Sequence, residues 1–111
     1  MKKHYKLVRD KIPAIIEANG EKCKARILGE KEYIKELEIK IDEEVKEFLK
    51  AETKENAVEE LADIQEVMLA LLKVYGVSLE EFEDIRKKKS DKRGAFDDRI
   101  YLEETYQENE M

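Results

Sequence analysis

The sequence predicts an all-α protein, an antiparallel four-helix core completed by oligomerisation. Three observations carry this. Apolar residues recur at helical spacing over two long segments. Glycine (4) and proline (1) are too scarce for the tight turns of a β-sandwich or barrel. A 41% hydrophobic share against 45% charged residues suits amphipathic helices with solvated outer faces.

Taken in order, the segment from Asp10 to Gly20 reads as a short helix. Asp10 is its expected N-cap, Pro13 falls in a first turn, and Asn19-Gly20 supplies a left-handed stop. Residues 23–28 are an extended connector ending at Gly29. From about Lys31 to Ala51, Ile34, Leu37, Ile41, Val45 and Phe48 recur at steps of 3, 4, 4 and 3, one stripe of a helix. The polar run Glu52-Thr53-Lys54 interrupts it, with Thr53 as N-cap of the next helix. That helix, Glu55 to Tyr75, is the most apolar and stops at Gly76. Ser78 opens a fourth helix, expected to end near Lys89. Ser78 with Glu81 has the spacing of a capping box, and Val77 with Phe82 that of a hydrophobic staple. A basic stretch, residues 87–94, follows the expected helix end. Phe96 to Leu102 is expected to pack on the bundle, and residues 103–111 to be a flexible tail. The whole, 1–111, reads as one domain with its core over about 5–102.

At 111 residues the chain has a limited core, which favours self-association as a homodimer or homotetramer. Twenty-eight acidic residues against 22 basic ones give a net charge of −6, which argues against duplex nucleic acid as partner. A lone Cys23 and a lone His4 leave no disulfide and no thiolate or imidazole metal site. No leader-like apolar region is seen, and the longest apolar run, Val67 to Val74, is too short to span a membrane. A soluble, cytoplasmic protein is expected.

Two pairs of carboxylates stand at i, i+3: Glu44 with Glu47, and Glu60 with Asp63. Each pair shares a helix face. In so acidic a chain such pairs are usually solvated surface. Here the helical wheel, at roughly 100° per residue, sets Glu44 at the margin of the Leu37–Ile41–Phe48 stripe and Glu47 just beyond it. Glu60 and Asp63 line up with Val67, Ala70 and Val74, while Glu59, Glu66 and Lys73 face solvent. Carboxylates in line with apolar residues are costly unless neutralised. A hard divalent cation with oxygen ligands is the natural partner. Glu-x-x-His pairs for di-iron are missing, and zinc would want His or Cys. All-carboxylate ligation suits Mg²⁺ or Mn²⁺, with Ca²⁺ chemically open although no EF-hand loop is present.

The order Glu44-x-x-Glu47, a short spacer with Asn56, then Glu60-x-x-Asp63 closely resembles the MazG-like all-α NTP pyrophosphohydrolases. That superfamily includes phosphoribosyl-ATP pyrophosphohydrolase and the dimeric dUTPases. Tyr5 to Pro13 resembles the "KLVRDKIP" opening of a small MazG-like subgroup. Lys92-Arg93-Gly94-Ala95-Phe96 is similar to its "KRGGF" segment, with Ala95 in place of the second glycine. The resemblance covers about residues 5–102.

The resemblance implies that Glu44, Glu47, Glu60 and Asp63 bind Mg²⁺ and carry catalysis, cleaving an NTP or dNTP to NMP and pyrophosphate. Arg9, Lys11, Lys89, Lys92 and Arg93 are then candidate phosphate-binding cations. Asn56 is either a substrate contact, the favoured reading, or a helix cap. Phe96 and Tyr5 are expected in the core rather than stacked on a base. Hydrolysis of phosphoribosyl-ATP ranks second, and a non-catalytic helical interaction or regulatory module third.

Overall fold

The computed structural model describes residues 1–110, with side chains described to residue 109; Met111, the end of the expected tail, lies outside the described residues. Four α-helices follow one another: α1 (Ile12–Ala18), α2 (Glu30–Lys50), α3 (Lys54–Val74) and α4 (Leu79–Arg93). Glu108–Glu110 form a single 3₁₀ turn. Among the described residues there is no strand. The fold is all-α, as the periodicity predicts. The chain divides into two compact units, 1–79 and 80–111.

In the first unit, α2 and α3 have 21 residues each and are joined by residues 51–53. So short a connection returns the chain antiparallel, and the two helices pack along one another. Leu37 of α2 and Val67 of α3 are the buried apolar side chains of the described residues, 3% and 8% exposed. They are the stripe positions around which Ile34, Ile41, Phe48, Ile64 and Met68 lie half-buried. Thr53 caps α3 as expected: its side chain accepts the Asn56 backbone N–H at 3.1 Å. At the other end, Gly76 takes φ +72. The Val77 N–H reaches the Leu72 carbonyl at 2.9 Å and the Gly76 N–H that of Lys73 at 3.1 Å, a Schellman closure that satisfies two acceptors of α3's last turn.

Three local expectations need correction. Asp10 does not cap α1; Lys11 holds the N-cap position and makes no side-chain cap bond. With Pro13 in the first turn lacking an N–H, a cap has one donor fewer to satisfy there. In the second unit, α4 does not end near Lys89 but continues through Arg93. Lys and Arg are good helix formers, and cations in a last turn complement the helix dipole. The helix ends only where Gly94 takes φ +86 and its N–H closes on the Ser90 carbonyl at 2.7 Å. Lys89, Lys92 and Arg93 are therefore helical residues and not a loop after the helix. Phe96 and Tyr5, expected as core, are 96% and 85% exposed. No helix of the described residues is long and apolar enough to cross a membrane.

Candidate metal centre

The carboxylates come together because α2 and α3 meet next to their connecting turn. Glu44 and Glu47 lie in the last two turns of α2, Glu60 and Asp63 in the second and third turns of α3. Glu44, Glu60 and Asp63 are half-buried, and each can offer an oxygen so that the three lie within 4.8 Å of one another. Glu47 stands outside this group and is exposed. It lines an open depression with Lys50, Ala51, Glu52, Asn56 and Glu60.

Glu60 is the electrostatic centre of the cluster. Partial burial, first, and then the carboxyl of Glu44 at hydrogen-bonding reach push its pKa above the ordinary glutamate value. The charges of Asp63 and Glu47 push the same way. Its Oε2 is buried and has no hydrogen-bond partner. A buried carboxylate oxygen without a donor is costly. A cation would supply what is missing.

Neighbouring cations reach only the outer members. Arg9 Nη2 bonds Asp63 Oδ1 at 2.5 Å, and its Nη1 is 3.9 Å from Glu66 Oε1. On α2, Lys40 Nζ lies 3.6 Å from Glu43 Oε2 and 3.9 Å from Glu44 Oε1. The donor set is thus all oxygen, contains one orphaned buried atom, and carries excess negative charge. These residues fit a hard divalent ion such as Mg²⁺ or Mn²⁺.

The other sequence candidates are placed as follows. Asn56 does not cap α3 with its side chain, since Thr53 does, and it lines the depression shared with Glu47 and Glu60. Lys11 sits exposed at the start of α1. Lys89, Lys92 and Arg93 belong to the second unit and are exposed. Lys50 and Lys40 were not singled out by sequence reasoning. Their signal was helical spacing: Lys50 follows Glu47 by three positions, and Lys40 precedes Glu44 by four. Cys23 is exposed, its Sγ 3.9 Å from the Pro13 carbonyl and 3.8 Å from Glu17 Oε1.

Residues 11–90 match the model of the family described as "Phosphoribosyl-ATP pyrophosphohydrolase". A protein of Mycolicibacterium smegmatis described as uncharacterised is 45% identical over 53 residues, which cover 48% of this chain and 54% of that protein. The chain thus spans about half the length of the relative it matches. No solved structure matches it. The family match over residues 11–90 contains both carboxylate pairs and the hairpin that joins them. The chain belongs to the phosphoribosyl-ATP pyrophosphohydrolase family, within the all-α MazG-like NTP pyrophosphohydrolase superfamily.

Proposed function

We propose that this protein is a divalent-cation-dependent nucleotide pyrophosphohydrolase that cleaves an NTP or dNTP to the NMP and pyrophosphate, as in clearing unwanted nucleotides from the pool. The observation that carries the reading is the orphaned Glu60 Oε2 set among carboxylates that can converge within 4.8 Å. Family membership supplies the reaction class.

In this reading Glu44, Glu60 and Asp63 hold Mg²⁺, with Mn²⁺ an effective substitute, and Glu47 completes the set from the rim. When bound, the metal neutralises phosphate charge and makes water more acidic. The protein's own groups do the rest. A carboxylate oxygen left over from ligation accepts a proton from the attacking water, and Glu47, exposed at the rim of the set, is best placed to offer one. Asn56 and Lys50, on the walls of the depression, orient the substrate. Lys11 remains a proposed phosphate contact.

Phosphoribosyl-ATP is the second candidate substrate, favoured by the family match over residues 11–90. We further propose a homo-oligomer, dimer or tetramer, because Val45, Leu49, Val58 and Leu61 around the α2–α3 turn are 39–73% exposed.

Pyrophosphate release from a panel of NTPs, dNTPs, modified nucleotides and phosphoribosyl-ATP with Mg²⁺ tests the reading. Turnover that disappears in folded Glu60→Gln and Asp63→Asn supports it. Pyrophosphate release that survives Glu44→Gln, Glu60→Gln and Asp63→Asn combined would sink the site. No turnover across the panel, together with no Mg²⁺ binding, would leave a helical interaction module.

A further inference from the structure

The Arg9–Asp63 pair stands apart from the other ion pairs of the described residues. Apart from Arg9's own second contact, to Glu66, the rest link residues three to six positions apart. Arg9 reaches across 54 positions, from the segment before α1 to the third turn of α3, with Nη2 at 2.5 Å from Asp63 Oδ1. Its other amino group leans toward Glu66 at 3.9 Å. Leu7 and Val8, just before it, are half-buried.

The carboxylate it bonds belongs to the cluster of Glu44, Glu60 and Asp63. A guanidinium carries a full positive charge, only donates hydrogen bonds, and does not deprotonate. Beside a ligand carboxylate it opposes a second cation in two ways. It occupies lone pairs of Asp63, and it raises the local potential. Lys40 at Glu44 acts in the same sense but more weakly, at 3.9 Å and shared with Glu43.

We infer that Arg9 is a competing counter-ion for the metal site: a divalent cation binds the Glu44–Glu60–Asp63 cluster at the expense of the Arg9–Asp63 bond. This rests on the metal-site reading above. Because linkage is reciprocal, the metal weakens the hold of the arm on α3 by the same factor by which the arm weakens the metal. Arg9 thereby sets the threshold of metal loading. In this role it is a positioning and regulatory residue, not a phosphate ligand in the resting protein.

Calorimetric titration of the full chain with Mn²⁺ alone tests the inference, with folding of every variant checked by circular dichroism. Arg9→Gln should tighten Mn²⁺ binding about three- to fivefold, the size expected of losing one exposed ion pair. The gain should shrink in high salt, which screens such pairs. Arg9→Lys keeps the charge and should recover at least half of the wild-type weakness. Lys6→Gln removes the same charge without touching the cluster and should change affinity less than half as much as Arg9→Gln. Glu60→Gln reports on the site itself and should abolish tight binding. If Glu60→Gln abolishes binding but Arg9→Gln leaves it unchanged or weakens it, the competition is overturned and the metal site stands. If the wild-type protein binds no Mn²⁺, or Glu60→Gln binds as well as wild type, the metal-site reading fails and the competition falls with it.

Discussion

Glu60 concentrates the conflict between stability and function. Burial and its carboxylate neighbours raise its pKa, so the folded protein holds that proton more tightly than the unfolded chain does. The sign follows: stability is fullest below the ordinary glutamate value of 4.5 and is lost as pH rises from there through the raised value. In chelator, thermal melts between pH 4 and 8 should show this loss, and Glu60→Gln should abolish it. At pH 8 the Glu60→Gln protein should melt higher than wild type in chelator, while losing more pyrophosphohydrolase activity than the roughly 10- to 100-fold that loss of a ligand's hydrogen-bond partner costs. A variant that melts lower and keeps activity would remove Glu60 from the centre of the site. The helical wheel made Glu60 and Asp63 stand out, since both align with Val67, which proves buried. It did not show that Glu47 lies exposed outside the group of three, because a wheel places a residue on its own helix and says nothing of the facing one.

At the scale of elements, the long helices are locally over-determined. Glu30 and Glu32 open α2 and Lys50 closes it; Glu55 opens α3 and Lys73 closes it; Glu80 and Glu81 open α4 and Lys92 and Arg93 close it. Each arrangement complements the helix dipole. The observed limits of α2 and α3 fall within one residue of those read from periodicity. Two substitutions measure the local signals. Thr53→Ala removes the acceptor of the Asn56 N–H and should cost about 1 kcal/mol in urea unfolding. Gly76→Ala forces a side chain into φ +72 and should cost roughly 1–2 kcal/mol by the same measurement. Had either substitution no effect, the turn between α2 and α3, or the stop of α3, would be set by packing instead. The end of α4 was misread because a run of lysines resembles a loop by charge, whereas its helix propensity is good and the breaker is Gly94.

For the whole molecule, the shortage of buried apolar surface is the dominant fact. Leu37 and Val67 are its buried apolar residues among those described, while Leu49, Val58 and Leu61 are about half to three-quarters exposed beside the acidic cluster. A surface of this kind is expected to be covered by another copy of the chain. Light scattering after size exclusion should therefore give a dimer or tetramer mass. Val58→Asp with Leu61→Lys should shift it toward monomer and lower the melting temperature. A monomer at tens of micromolar would contradict the assembly. In the second unit, Phe96, Ile100, Tyr101 and Leu102 are 75–96% exposed, against the expectation that they pack as core. Apolar character marks what a residue would gain from burial, and not which surface provides it.

By itself the sequence determined the all-α class, the two long helices, the Thr53 cap and the two carboxylate pairs. All of these depend on neighbours within a turn or two, where spacing and propensity act directly. Tertiary structure decided that Glu44, Glu60 and Asp63 converge, that Lys40 flanks them, and that Arg9 reaches Asp63 from 54 positions away. Those contacts arise from the register of α2 on α3 and from where the arm before α1 is laid down. No periodicity within one segment encodes either.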